Sequence, residues 1–347
     1  MRSARPNQAV RTLADLAARA GVSASTVSRA LNDSPLVNAE TRAQIKALAA
    51  EHNFQVHLGA QSLRRQRTQT LAVVMTAERP AGNAMTDPFL LELLGEIASA
   101  ATQRGYDVLL ADARSDLRDW NAHFLRSGRA DGIIMVARLS ERTRQTSALH
   151  TAGAPFVVWG PLLPEQPYCS VGSDDFAGGK LVTHHLLRLG RRHIGFLGAG
   201  SDCLEVMLRF EGYTAALAEA GRTVRAQDVT YATSTSQAGF EAMRRLLVQA
   251  PDLDAVFVNS DVMAIGAVEA ISNAGRRVPE DMAVVGYDDI SLAAYLRPPL
   301  TTVRQRLHEA GRLLVERLHQ QIEGEAAAPV LLPVDLIVRE SCGALLR

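Results

Sequence analysis

The stretch Thr12–Asn32, TLADLAARAGVSASTVSRALN, constrains the fold of this chain more than any other. Leu13, Leu16, Ala17 and Ala20 recur at helical spacing, Thr12 stands where an N-cap hydroxyl belongs, and Gly21 breaks the pattern. Val22 fills the corner, Ser23 is a second N-cap, and Val27 and Leu31, four apart, give the next helix its buried face. Ala24, Ser25, Thr26, Ser28 and Arg29 are left facing outward. A helix with small polar residues at its start and one arginine fits a major groove, where hydroxyls reach phosphates and the guanidinium reaches guanine edges. The same spacing fits any helical hairpin with a polar face.

Charge bears on that choice. The chain of 347 residues is formally neutral, with 37 Lys+Arg and 37 Asp+Glu. Residues 1–69 hold ten of the basic and four of the acidic side chains, so the hairpin region carries +6 and the remainder −6. Phosphate binding requires such a local excess, and a solvated basic face produces it as well. The length implies about two or three domains at ~150 residues each. A hydrophobic content of 47% with only 5% aromatic suits an α/β protein rich in alanine and leucine. Cys169, Cys203 and Cys342 are scattered, with neither metal-ligand spacing nor a disulfide framework, so no metal and no cofactor is expected. MRSARPNQAVR is charged without an apolar core, and no run approaches ~18 apolar residues, so the expectation is a soluble cytoplasmic protein.

Asn38 caps a third helix with Ile45, Leu48 and Ala49 on its apolar stripe, which makes a small bundle. From Thr70 the rhythm changes. TLAVVMT, YDVLLAD, ADGIIMVA, PFVVWG, HIGFLGA, DAVFVNS and MAVVGYD are apolar strand runs separated by helical stretches. Buried strands between amphipathic helices argue for βαβ units and parallel sheets covered on both faces. About 270 residues of this exceed one compact sheet, and two doubly wound lobes with a cleft at the carboxyl ends of the strands fit better.

The pattern A-x-x-A-G-V-S-x-x-T-V-S-R-x-L-N, from Ala17 to Asn32, resembles the DNA-binding signature of the LacI/GalR family of bacterial transcriptional regulators. DPFLLELLGEIASAA, VGSDDFAGG, LRFEGYTAALAEAG, SDVMAIGAVEAISNAGRRVPEDMAVVGYDDI and PPLTTVRQ are similar to successive landmarks of that family's effector-binding core, which is like periplasmic sugar-binding proteins. The resemblance implies an all-α helix-turn-helix headpiece over residues 1–57 and a hinge helix and linker over 58–69. It also implies an α/β core of two doubly wound lobes over 70–347. Lobe 1 is expected at about 70–160 and 291–322, and lobe 2 at about 161–290 and 323–340, with crossings near Gly160–Pro167, Ile290 and Glu323; PPLTTVRQ is placed by the second.

By the same resemblance, Thr12, Ser23, Ala24, Ser25, Thr26, Ser28, Arg29 and Asn32 are the DNA-binding residues of the headpiece. His57, Ala60 and Leu63 serve the hinge, where a leucine wedges into the minor groove and Arg64, Arg65 and Arg67 reach the backbone. The hinge departs from the family pattern, for Phe54, Gln55, Val56 and His57 lack the proline and asparagine that usually start that helix.

Sugar recognition needs carboxylates, amides, an arginine fork and aromatic rings. Arg209 and Asp288 match effector-binding positions, as do Asp87 and Phe89 after the first core strand. Asp174, Ser260 and Asp261 open helices, where they act as caps or as ligand contacts. Trp159 fits either stacking on a sugar or core packing. Homodimer faces are expected on outer helices such as the one with Leu90, Leu93, Leu94 and Ile97, a stripe that fits ordinary core packing as well, and a tetramer is open.

The expected function is a sequence-specific repressor of sugar or glycoside genes, partnered by double-stranded operator DNA and a sugar effector. A nucleobase-responsive regulator, a sugar-binding protein without DNA function and a Rossmann-like enzyme are the alternatives. GFLGAG at Gly195–Gly200 is not G-x-G-x-x-G, and GGKL near Lys180 lacks the upstream P-loop glycine, so no enzyme is expected.

Overall fold

The structure, a computed structural model, describes residues 10, 12–52, 54, 67–75, 87–112, 119–136, 139–200 and 203–346. It divides into two units, Met1–Thr68 and Gln69–Arg347. In the first, the Thr12 hydroxyl accepts from the Asp15 amide at 3.1 Å and the Asp15 carboxylate accepts from the Thr12 amide at 2.9 Å. This reciprocal box starts α1 (Leu13–Ala20), which ends at Gly21 with φ 66°, a left-handed conformation that costs a residue without Cβ little. Ser23 accepts from the Thr26 amide at 3.1 Å to start α2 (Ala24–Leu31), and Asn38 from the Thr41 amide at 2.7 Å to start α3 (Ala39–Glu51). These are the caps expected from the sequence.

Leu16, Val27, Ala30 and Ile45 are buried between the three helices. The inner face of α2 is centred on Val27 and Ala30. Leu31 is half-buried at its margin, because steps of three and four residues straddle the direction of contact. The hinge residues His57, Ala60 and Leu63, with Arg64 and Arg65, lie outside the described residues.

In chain order, the strands of the second unit are β1 (Thr70–Met75), β2 (Asp107–Asp112), β3 (Gly132–Val136), β4 (Phe156–Trp159), β5 (Ser170–Ser173) and β6 (Ile194–Gly198). They continue with β7 (Val229–Tyr231), β8 (Ala255–Val258), β9 (Ala283–Asp288), β10 (Thr301–Arg304), β11 (Val330–Leu332) and β12 (Asp335–Ile337). One sheet has the order β11-β5-β4-β3-β1-β2 and is parallel throughout. The other has the order β12-β10-β9-β8-β6-β7 and is parallel except for β12, which runs antiparallel to β10. Leu71–Met75 and Ile133–Met135 are buried because helices cover both faces, which is why these strands read as continuous apolar runs.

The strand memberships correct the lobe boundaries. β5 still belongs to the first sheet, so the chain first crosses after Ser173, not at Gly160–Pro167. β10 belongs to the second sheet, so the return is at Gln305, not Ile290. There α10 (Leu307–Ile322) begins and buries Leu314 and Leu318 in the first lobe. The third crossing lies between β11 and β12, not near Glu323. The short strands SVGS and VLL carry too little apolar sequence to be told from loops by pattern. PPLTTVRQ does end at the second crossing.

On α4 (Pro88–Gln103), core packing is the alternative that holds. Leu93 and Ile97 are fully buried in the first lobe and Leu90 and Leu94 pack against its core, so that stripe is spent within the chain. Leu91 is the large apolar residue this helix exposes, at 46%.

Candidate functional site

Two sites are built by these elements, one in each unit. In the first, the turn between α1 and α2 leaves Ser23, Ala24, Ser25 and Arg29 exposed, with Thr26 and Ser28 half-buried. The Ser23 hydroxyl lies 2.8 Å from both the Ser25 and the Thr26 hydroxyls, so the start of α2 presents a linked cluster of small donors and acceptors. Asn32 Nδ2 donates to the Ser28 carbonyl at 2.7 Å and closes the other end. Thr12 is committed to the capping box. A helix start of this size, with an arginine one turn on, meets the steric and chemical demands of a major groove.

The second site gathers where strands of both sheets end. α6 (Asp175–Arg188) and α7 (Leu204–Glu219) cross at backbone contact: a Cβ on Gly179 would run into the Arg209 carbonyl oxygen, and one on Gly212 into that of Phe176. This contact holds Arg209 inside the second lobe at 7% exposure, so it is not a surface arginine. Its Nε donates to Asp175 at 2.8 Å and its Nη1 to the Asn259 carbonyl at 2.8 Å. The guanidinium carbon sits 3.6 Å from the centroid of the Tyr287 ring, and Asp288 lies 3.9 Å from Nη1. Burial opposes the arginine's charge, but the carboxylates of Asp175 and Asp288 outweigh it and keep the guanidinium protonated. Burial also lifts the Asp175 carboxyl to about 6 in spite of Arg209.

Asp288 has φ 110°, a conformation that a residue with a side chain adopts only when its surroundings hold it. Gln305 supplies part of that hold, donating to Asp288 Oδ1 at 2.8 Å from the second crossing. Burial raises the Asp288 carboxyl well above the usual range, with the Asp87 charge from the other lobe adding to it. Asp87 caps α4 by accepting from the Phe89 amide at 3.0 Å, and Phe89 packs against the cores of both lobes. Asp174 caps α6 by accepting from the Ala177 amide at 2.9 Å. Trp159 is 7% exposed and packs in the first lobe's core, its ring centroid 6.3 Å from that of Phe89.

Ser260 and Asp261 both have partners within the protein. Ser260 caps α9 (Asp261–Asn273), accepting from the Met263 amide at 3.4 Å. Asp261 is fully buried, with one oxygen accepting from the Ile290 amide at 2.9 Å and the other from the Thr302 hydroxyl at 2.6 Å. It straps the ends of β9 and β10 together, and burial lifts its carboxyl to about 7. Sequence reasoning missed Asp175, Asn259, Tyr287 and Gln305. Asp175 hides behind the helix-capping Asp174, and only the paired aspartates of GSDDF hint that two roles are present.

Both units have counterparts among known proteins. Residues 12–56 match the family model described as bacterial regulatory proteins, lacI family, and residues 183–342 the periplasmic binding protein-like domain. The HTH-type transcriptional regulator CelR of Thermobifida fusca is 36% identical over 335 residues, covering 95% of this chain and 98% of that protein. The ribose operon repressor of Escherichia coli (strain K12) is 31% identical over 315 residues, covering 90% and 93%. A crystal structure of the lac repressor dimer bound to operator and the anti-inducer ONPF superimposes with a TM-score of 0.86 at 28% identity, covering 96% and 99%. A CelR–cellobiose complex does so with a TM-score of 0.73 at 33% identity, covering 96% and 100%. These relatives are DNA-binding regulators, not enzymes. With a matched headpiece, a matched core and such identity along nine-tenths of its length, the chain belongs to the lacI family of bacterial regulatory proteins.

Proposed function

We propose that this protein is a cytoplasmic repressor of sugar or glycoside genes that holds a pseudo-palindromic operator as a homodimer and releases it when a sugar fills the cleft. The observation that carries this reading is the buried Arg209, oriented by Asp175 and the Asn259 carbonyl and set beside Asp288. Such a fork reads vicinal hydroxyls. The CelR–cellobiose complex makes glucosides the first class to try. Asp87 and Phe89 on the first lobe complete the grip, and Ser25, Thr26, Ser28 and Arg29 read the operator.

The core exposes Leu91, Leu292 at 54% and Tyr295 at 77%, and a depression of about 660 Å³ beside the second crossing is lined by Glu92, Asp288, Asp289 and Gln305. No helix among the described residues is long and apolar enough to cross a membrane.

The test is fluorescence anisotropy of the full chain on the DNA upstream of its own gene, with and without a panel of sugars and nucleobases. One sugar is expected to release the DNA. Release by a nucleobase alone, or no specific binding at moderate salt, overturns the reading. Arg29→Ala is expected to weaken specific binding by roughly 1–3 kcal/mol with ligand affinity unchanged, and an equal loss on random DNA would make Arg29 a phosphate contact.

A further inference from the structure

The positive charge of residues 1–69 does not sit on the folded headpiece. Between Thr12 and His52 the chain has four cations, Arg19, Arg29, Arg42 and Lys46, and four anions, Asp15, Asp33, Glu40 and Glu51, so the three-helix bundle is formally neutral. Most of these cations are also engaged. Lys46 donates to both oxygens of Asp33, at 2.6 and 2.8 Å, and Arg42 donates to the carbonyls of Ser34 at 3.3 Å and Val37 at 2.9 Å. Arg19 Nη1 lies 3.0 Å from His52 Nε2. Arg29, exposed on α2, is the one of the four whose side chain has no partner among the described residues.

The excess lies in the flanks. Arg2, Arg5 and Arg11 precede Thr12, Arg64, Arg65 and Arg67 follow the bundle, and neither 1–11 nor 53–69 holds an acidic side chain. The later three belong with the hinge. The earlier three lie outside the described residues, but Val10 is described: it is 8% exposed and joins Leu16, Val27 and Ile45 in the buried cluster. The leading flank is thus pinned to the bundle next to Arg11, at the capping box that starts α1. In a helix-turn-helix the second helix enters the major groove and the first crosses the sugar-phosphate backbone, so this anchor stands on the backbone side of the unit. The eight residues that separate Arg2 from Val10 reach at most about 28 Å, which passes several phosphates at ~3.4 Å of rise each.

A neutral bundle with one free guanidinium releases few counterions from DNA, so it attracts a duplex weakly and keeps its register mainly through hydroxyls. We infer that Arg2, Arg5 and Arg11 are a second DNA-binding element, which grips the phosphate backbone beside the helix-turn-helix and supplies attraction that the bundle lacks. The inference rests on the operator-binding reading above. Ser25, Thr26, Ser28 and Arg29 discriminate between sequences, and the flanking guanidiniums add affinity for any duplex. Arginine suits that second task, because its fork meets phosphate oxygens two at a time and stays charged at every physiological pH.

The test is fluorescence anisotropy of the full chain on the labelled DNA upstream of its own gene and on a random duplex of equal length, from about 50 to about 200 mM salt. The triple variant Arg2→Gln, Arg5→Gln, Arg11→Gln is expected to flatten the slope of log affinity against log salt by about 2–3 per protomer, and to weaken both duplexes by at least about tenfold at the lower salt. Asp33→Asn with Lys46→Gln removes an ion pair of the bundle at constant net charge and is expected to leave the slope unchanged, melting curves showing that both variants are folded. An unchanged slope in the triple variant overturns the inference and leaves the repressor intact. A loss confined to the operator also overturns it, since that is base reading. Equal flattening in the Asp33 and Lys46 variant overturns it too, by placing phosphate contacts on the bundle. A parent chain with no preference for its own upstream DNA overturns the operator-binding reading itself.

Discussion

Arg209 shows what a single buried charge demands. Replacing it with methionine removes a cation from beside Asp175, which is 3% exposed and left with an uncompensated carboxylate. Arg209→Met is expected to cost about 3–5 kcal/mol in urea unfolding of the core, and Arg209→Met with Asp175→Leu to recover part of it. Asp261 makes a prediction of the opposite kind. Its folded carboxyl is raised to about 7 from an ordinary 3.8, so the folded state binds the proton more tightly than the unfolded one. That contribution is full below about pH 4 and is lost as pH rises through about 7. Asp261→Asn keeps an acceptor for the Ile290 amide and cannot ionise, so the variant's stability relative to the parent is expected to improve between pH 5 and pH 8 in thermal melts. A constant difference would mean that Asp261 stays ionised. Arg209 and Asp288 were legible from their motifs, but the partners that hold them were not. Asp175, Asn259 and Gln305 come from strand ends brought together by the sheets, and linear spacing carries no trace of that.

The helices are set by features of very different legibility. The caps of α1, α2 and α3 are local, a hydroxyl or amide three residues from the amide it serves, and the sequence states them. The crossing of α6 on α7 is not local. Gly179 and Gly212 read as helix-weakening residues until the backbone carbonyls against them are known. Gly179→Ala is expected to push α7 outward at Arg209, lowering effector affinity by at least about tenfold while raising α6's own helix propensity. Isothermal titration measures the first effect, and unchanged affinity would mean that the crossing yields without moving Arg209. The stripe on α4 was legible as apolar but not as inward. Leu93 and Ile97 face the core and Leu91 faces outward, and only the path of the chain distinguishes them.

The unit of residues 1–68 has its own buried cluster around Leu16, Val27 and Ile45, and the core has three of its own. Deleting residues 1–69 is therefore expected to abolish operator binding and leave effector affinity within about twofold by calorimetry. Loss of both would mean that the core does not fold without the headpiece. The two-lobed α/β architecture was legible from alternating apolar runs, whereas the lobe boundaries were not, since β5 and β11 are four and three residues long.

The three crossings, after Ser173, at Gln305 and between Leu332 and Asp335, join the same two lobes side by side. Three tethers running abreast behave like the spine of a book: they permit opening and shutting and resist sliding or wringing. Gln305 sits in that spine with its amide on Asp288, so one hydrogen bond ties the end of β9 to the spine.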